Sequence, residues 1–204
     1  SPVAGARGTR RFSTGWLRSR TEVIHRIETG WRKTVLATTT FDVRNLGERL
    51  NQRGVARIHR HSYARGQADR AVARGEAVRI LPGVVAATAL ARDPRIIIRA
   101  LLLWHRDIVL VGKAALLMLG MKAPGTNRSM DFYGVNEVEA FSTTRRLTRP
   151  GIRVRRWHMP HRFVTEREQV RIATAEVSVL ILAVQGEWEW VCEALRQRIV
   201  TPES

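Results

Sequence analysis

Apolar residues recur at helical spacing in the stretch that ends at Gly54. Val43, Leu46 and Leu50 stand three and four positions apart, and charged or polar residues fill most of the positions between them. This spacing places the three side chains on one face of a helix. Asp42 precedes the pattern as an N-cap residue, and Gly54 follows it as a left-handed stop. We therefore predict an amphipathic helix between these two residues.

A second helix is predicted from Arg65 to Arg74, and Gly75 ends it. One side of this helix consists of small or apolar residues, namely Ala64, Ala68, Ala71 and Val72. At 100° per residue the outward arc holds Gly66, Asp69, Arg70 and Ala73, with Gln67, Arg74 and Arg65 on its flanks. The helix can therefore pack through small side chains while its other side stays available for a ligand.

Two β-prone runs follow, on either side of a Pro-Gly turn. Residues 76–81 and 84–88 flank Pro82-Gly83, and this arrangement is typical of a β-hairpin. The order helix, turn, helix, hairpin is that of a winged helix-turn-helix domain.

The residues beyond position 90 predict a small mixed α/β domain. Asp93-Pro94 opens a helix, and the run from Ile96 to Trp104 is too uniformly apolar for a surface helix. Periodicity then predicts strands over 108–111, 135–141, 152–157 and 168–173, and helices over 113–119, 175–184 and 187–197. The expected fold class is α+β, an N-terminal winged helix-turn-helix followed by a small mixed α/β domain.

The first 40 residues form a separate basic segment. Residues 1–14 are rich in Arg, Gly, Ser and Thr and have nothing to bury, so we expect a disordered arm there. Residues 16–36 carry apolar side chains at helical intervals with basic residues between them, which indicates an amphipathic helix. Arg10 and Arg11 could enter a minor groove or follow phosphates. The alternative is a helix packed on the winged domain or on a second subunit. We thus divide the chain into residues 1–40, 41–90 and 91–204.

The net charge of the chain says more about its function than its overall composition does. The 204 residues include 35 Lys and Arg against 18 Asp and Glu, which gives a net charge of +17. The excess is uneven, since residues 135–165 hold seven basic and two acidic residues while residues 166–204 hold four and seven. A basic excess of this size indicates a polyanionic partner, because each arginine set against a phosphate releases counterions. The alternative is an arginine-rich but merely solvated surface.

Membrane and secreted classes do not fit this sequence. No apolar run reaches the roughly 20 residues that span a bilayer. The single cysteine, Cys192, provides no disulfide framework, so a cytoplasmic protein without a membrane partner is expected. We expect Cys192 itself to be a core thiol.

Signatures of enzymes and metal sites are weak. His158 and His161 are three positions apart, but Pro160 between them prevents a regular helix and no cysteine or carboxylate pair completes a ligand set. Glu137 and Glu139 share one predicted strand face and are the main suggestion of a divalent-metal nuclease site. We therefore predict no catalytic residues, no metal and no cofactor.

The predicted chemistry is recognition of double-stranded DNA by the second helix. The expected base-reading side comprises Arg65, Gly66, Gln67, Arg70 and Ala73. Arg70 is the strongest candidate, because the planar fork of arginine matches two acceptors on guanine in the major groove. Arg74 and Arg79 are expected to meet phosphates, which position a protein on DNA without reading its sequence.

A second basic cluster follows in the predicted strands. Its members are Arg145, Arg146, Arg149, Arg153, Arg155 and Arg156. Strand alternation puts Arg153 and Arg155 on one face and Val154 and Arg156 on the other. The cluster could extend the DNA footprint, meet an acidic partner, or form a solvated strand face.

The residues around the predicted hairpin resemble the N-terminal domain of the AbiEi-type proteins. The resemblance rests on Gly54-Val55, on the run Asp69–Glu76, and on Val78-Arg79-Ile80 with Leu81-Pro82-Gly83-Val84. It departs from the family pattern at Val85, where an aromatic residue usually stands.

This family includes type IV antitoxins that repress their own operons. The resemblance implies a sequence-specific double-stranded DNA-binding repressor that autoregulates a toxin-antitoxin type operon, with a nucleotidyltransferase-like toxin as a partner and no catalytic group. The alternative function is a non-enzymatic RNA-binding protein whose tryptophans stack on bases.

Overall fold

The computed structural model describes residues 46–59, 63–126 and 132–201. These residues form a mixed α+β fold with six helices and two sheets, which confirms the α+β class. The first half comprises α1 (Leu46–Arg53), β1 (Val55–Arg57), α2 (Tyr63–Ala73), β2 (Ala77–Leu81) and β3 (Val84–Ala87). The predicted N-cap Asp42 and the segment 1–40, including Arg10 and Arg11, lie outside the described residues.

The first sheet has three antiparallel strands in the order β1-β3-β2. The predicted hairpin about Pro82-Gly83 is confirmed, with Arg79 opposite Val85. Strand β1 was not predicted, because three residues are too few to show an alternating pattern. It starts directly after Gly54, whose φ of 72° turns the chain from α1 into the sheet.

Helices α1 and α2 pack on one face of this sheet. Leu46 and Leu50 of α1 meet Ala68 and Ala71 of α2 in a buried cluster that also includes Val85. Ala64 and Val72 pack at its border, so the predicted inner side of α2 is confirmed. Small side chains at these positions let α2 lie close to the sheet.

Helix α3 (Pro94–Trp104) is the central element of the core. The Asp93 carboxylate caps it by accepting a hydrogen bond from the Arg95 N–H at 2.9 Å. Ile96, Ile98 and Leu101 are completely buried between the two sheets. The predicted boundary near residue 90 stays a prediction, and one continuous core extends across it.

A buried arginine strengthens the contact between α3 and the first half. The side chain of Arg99 is only 9% exposed, and its Nη1 donates to the carbonyl oxygen of Arg53 at 3.3 Å. Burial lowers the pKa of the Arg99 guanidinium, and the nearby Asp93 carboxylate opposes this effect. The end of α1 is thereby fastened to α3.

The second half contains six strands and three further helices. Its elements are β4 (Val109–Leu110), α4 (Gly112–Met118), β5 (Val138–Ser142), β6 (Leu147–Arg149), β7 (Ile152–Arg156), β8 (Val164–Arg167), β9 (Val170–Ala173), α5 (Ala175–Val184) and α6 (Trp188–Arg196). The strand order is β6-β7-β5-β4-β9-β8, with β5 parallel to β7 and β4 parallel to β9. The edge strands β6 and β8 were not predicted, because they are short and largely exposed.

Different elements pack on the two faces of the second sheet. Ala140 and Val154 point into the core that α3 and α4 complete. On the outer face, the half formed by β4 and β9 is covered by Met159, Phe163 and residues of α5. The other half carries Glu139, Phe141, Arg153 and Arg155, which strand alternation places opposite the core.

Helix α6 packs through Trp190, Val191 and Ala194. The expectation that Cys192 is a core thiol is wrong, because the cysteine lies on the opposite side of this stripe and is exposed. None of the helices in the described ranges is both long and apolar enough for a membrane span.

Two glycines give opposite predictions for stability. A Cβ on Gly54 would lie 2.5 Å from the Ile96 Cδ1 and 3.2 Å from the Leu90 Cδ1, at a positive φ. Gly66, in contrast, lies inside α2 with no atom within 4 Å of such a Cβ. We expect Gly54→Ala to lower the free energy of unfolding by about 1–3 kcal/mol. We expect Gly66→Ala to raise it by about 0.5–1 kcal/mol. Urea denaturation of both variants measures these values, and a neutral Gly54→Ala would contradict the tight packing on Ile96.

Candidate nucleic-acid interface

The outward side of α2 is open to solvent over its whole length. The exposed residues are Tyr63, Arg65, Gly66, Asp69, Arg70, Ala73 and Arg74. Ala68 and Ala71 on the opposite side are 0% and 5% exposed. The outward arc predicted from 100° spacing is therefore the exposed side, and the β2-β3 hairpin lies beside it.

Gln67 plays a structural role at the edge of this surface. Its Oε1 accepts a hydrogen bond from the backbone N–H of Leu46 at 3.4 Å, and the residue is only partly exposed. The side chain thus connects α2 to the start of α1. Among the predicted base-reading residues, Gln67 is the one that is not fully exposed on the outward arc.

The two arginines expected to meet phosphates are both ion-paired. Arg79 on β2 reaches Asp69 on α2 through its Nη2. Arg74 binds Glu76 through two hydrogen bonds of 2.8 Å each, and this contact lowers the pKa of the Glu76 carboxyl. Both pairs are solvent-exposed, and exposed pairs of this kind contribute little to stability. Separating either pair therefore costs the fold little free energy.

Arg70 differs from these two residues. It is exposed near the centre of the outward arc, and no carboxylate in the described ranges lies within ion-pair distance of its guanidinium. Asp69, its neighbour in sequence, is occupied by Arg79. Arg70 thus presents a full positive charge and a two-pronged donor to whatever approaches α2.

The second basic cluster divides into two groups. Arg153 pairs with Glu137 at 2.8 Å and with Glu139 at 3.3 Å, and Arg155 lies 3.6 Å from Glu139. Gln185 also donates to Glu139, at 2.7 Å. These carboxylates are thus bound to cationic and amide donors, and no group of three or more metal-binding side chains occurs in the described part of the chain.

The other arginines of this cluster have no acidic partner among the described residues. Arg145, Arg146 and Arg156 are exposed at the ends of β5 and β7. Arg149 on β6 donates from its Nη1 to the carbonyl oxygen of Ile80 at 3.1 Å. This hydrogen bond brings the edge of the second sheet against strand β2 of the hairpin.

The polar cluster around Asp107 was missed from the sequence. Its carboxylate accepts hydrogen bonds from the Ser142 hydroxyl at 2.9 Å and from the Thr143 N–H at 2.8 Å, and His105 contacts its Oδ1. The Ser142 hydroxyl accepts in turn from the Arg145 N–H at 3.0 Å. The polar run Ser142-Thr143-Thr144 is visible in the sequence, but its partner lies about 35 positions earlier. This cluster fixes the loop that carries Arg145 and Arg146.

Comparison of the chain with protein-family models, with curated proteins and with solved structures found no match in any of the three. The resemblance to AbiEi-type proteins therefore rests on residues 54–55, 69–76 and 78–84 of this chain.

The hydrogen bonds to Asp107 predict a pH-dependent contribution to stability. Burial alone would raise the pKa of Asp107, but hydrogen bonds from Thr143 and Ser142, together with the nearby His105, lower it to about 2. Because the folded pKa lies below the unfolded one, this contribution is complete above about pH 4 and disappears as the pH falls to about 2. We expect Asp107→Asn to lower the free energy of unfolding by about 2 kcal/mol at pH 7.

The measurement is urea denaturation of the native chain and of Asp107→Asn from pH 7 to pH 2. The difference between the two should shrink with falling pH, while the exposed Asp69→Asn serves as the control for loss of a surface carboxylate. A difference that does not change with pH would contradict the assignment.

Proposed function

We propose that the chain is a sequence-specific repressor that binds double-stranded DNA, with α1, α2 and the β2-β3 hairpin as a winged helix-turn-helix. The observation that supports this most is the geometry of α2. Its exposed arc is free of the chain's own core, and Ala68 and Ala71 hold the opposite side close to the sheet. A single helix of this width fits a DNA major groove.

We assign base reading chiefly to Arg70, with Arg65 next to it. Gly66 and Ala73 add no bulk on the same arc, so the helix backbone can come close to base edges and to a thymine methyl group. Gln67 is reassigned to holding α1 against α2, since its amide oxygen accepts from Leu46.

Arg74 and Arg79 are proposed as phosphate contacts that exchange their carboxylates for DNA. When a phosphate approaches, each arginine gives up its exposed ion pair and binds the phosphate instead. The carboxylate of Asp69 or Glu76 is then solvated. The net charge of +17 favours this exchange, because binding of a polyanion releases condensed counterions.

The biological role follows from the resemblance to the AbiEi-type proteins. We propose that the chain autoregulates a toxin-antitoxin type operon, counteracts a nucleotidyltransferase-like toxin and has no enzymatic activity. Arg10 and Arg11 are proposed as minor-groove or phosphate contacts of the N-terminal arm. A footprint on the promoter upstream of its own gene tests the repressor role.

The second candidate function is binding of RNA without catalysis. It is favoured by the exposed Trp157 and by Arg145 and Arg146 in the loop after β5, which have no acidic partner among the described residues. Competition separates the two functions. Duplex DNA of arbitrary sequence should displace a labelled duplex better than structured RNA does, and the opposite order would favour the RNA-binding function.

Substitutions on α2 and β2 should have different effects on DNA binding. We expect Arg70→Ala to weaken the preferred duplex by about 1–3 kcal/mol and to relax preference at one base position, because a bidentate base contact is lost. We expect Arg79→Ala to weaken all duplexes alike and to reduce the slope of log K against log salt by about one, because a phosphate contact is lost.

The preferred duplex is first obtained by selection from a random library, and affinities are then measured by fluorescence anisotropy at several salt concentrations. Arg167→Ala is the matched control, since Arg167 is an exposed arginine on β8, at the sheet edge opposite β6. Equal losses for Arg70→Ala on preferred and random duplexes would refute the assigned division of roles.

A further inference from the structure

A tryptophan stands exposed at the end of strand β7. Trp157 directly follows β7 and is 47% exposed. Its ring meets the ring of Phe141 at a centroid distance of 4.9 Å and an interplanar angle of 77°. In such an edge-to-face contact the rings do not stack, so at least one face of each ring is not covered by the other.

A backbone hydrogen bond joins Trp157 to strand β5. β5 and β7 are parallel, with Ser142 opposite Arg156, and the Trp157 N–H donates to the Ser142 carbonyl at 2.9 Å. Trp157 therefore lies at the carboxyl ends of two parallel strands, next to the loop that carries Arg145 and Arg146.

The charge around Trp157 is strongly positive. Arg155 lies on the same face of the sheet as Trp157, and the exposed Arg145 and Arg146 lie in the loop that follows Ser142, whose carbonyl oxygen accepts from the Trp157 N–H. Only Arg155 among them has a carboxylate within ion-pair distance among the described residues. Trp188 is a useful contrast, because it is 61% exposed but stands between Glu187 and Glu189.

The arginine loop beside Trp157 is held in place before any ligand arrives. Asp107 accepts from Ser142 and Thr143, and the Ser142 hydroxyl accepts from the backbone of Arg145. A loop fixed in this way loses little conformational entropy when it binds. The cluster around Asp107 thus has a use beyond stability.

We propose that the carboxyl ends of β5 and β7 bind a single-stranded nucleic acid, with one base stacked on Trp157 and phosphates against Arg145 and Arg146. Aromatic stacking together with a basic groove is the chemistry of single-strand binding. A duplex is disfavoured at this site, because the bases of a duplex are stacked on each other and do not offer their faces. This site is separate from α2 and from the proposed reading of duplex DNA; it rests on the second candidate function and specifies its strand and its contact residues.

The test is a titration of the full chain with labelled 15-nucleotide strands of oligo-U and oligo-dU. Loss of the aromatic ring on which one base stacks should weaken binding. We therefore expect Trp157→Ala to reduce the affinity for both strands by about 5- to 100-fold. Trp157→Phe should recover most of that loss, and Trp188→Ala should leave binding unchanged. Quenching of tryptophan fluorescence by the strand should disappear in Trp157→Ala alone.

A second variant tests the phosphate contacts independently of the ring. Because each phosphate contact to a single strand contributes about 0.7 to the salt slope, joint replacement of Arg145 and Arg146 by alanine should reduce that slope by about 1.4. Arg167→Ala should leave it unchanged.

Different results would contradict the single-strand site and the reading of duplex DNA by α2. Equal strand affinities for Trp157→Ala and Trp188→Ala would overturn the single-strand site, whatever the duplex result. Duplex binding that is insensitive to Arg70→Ala would overturn the reading by α2 and leave the single-strand site standing. Oligo-U and oligo-dU differ only in the 2′-hydroxyl, so a preference between these two strands distinguishes RNA from DNA as the natural strand.

Discussion

The burial of helix α3 between the two sheets is the interaction on which the arrangement of both surfaces depends. Ile96, Ile98 and Leu101 are completely buried there, and Ile96 fills the space that only a glycine at position 54 leaves open. The hydrophobic effect is not directional, so the Arg99 hydrogen bond to the Arg53 carbonyl adds the orientation that burial alone does not give. The exposed arc of α2 and the carboxyl ends of β5 and β7 are consequently held in one fixed relation.

Charge in this molecule is distributed in two different ways. Around α2 and β2, Arg74 and Arg79 have acidic partners, and a ligand must compete with Glu76 or Asp69 for them. At the ends of β5 and β7 the acidic residues bind Arg153 and Arg155, while Arg145, Arg146 and Arg156 have no such partner in the described ranges. Competition of this kind reduces non-specific attraction, which agrees with the proposed selective reading of duplex DNA by the first surface and the proposed binding of single strands by the second.

Elements with a clear periodicity of apolar residues could be predicted from the sequence. The helix over 175–184 is confirmed at the same residues, and the exposed arc of α2 followed from 100° spacing alone. Strands β1, β6 and β8 have three or four residues, which is too short for alternation to be distinguished from chance. The contacts of Gln67 with Leu46 and of Asp107 with Ser142 join residues far apart in the chain, so no local pattern could reveal them.

The hydrogen bond between Arg149 and Ile80 affects how the protein behaves at high concentration. Strand β2 is at the edge of its sheet, and an uncovered edge strand offers its backbone groups to a strand of another molecule. The Arg149 guanidinium occupies the Ile80 carbonyl there, and Pro150 next to it has no N–H to offer. Each of these two edges is thus obstructed by the other, so β2 and β6 are poor templates for pairing with a strand of another molecule.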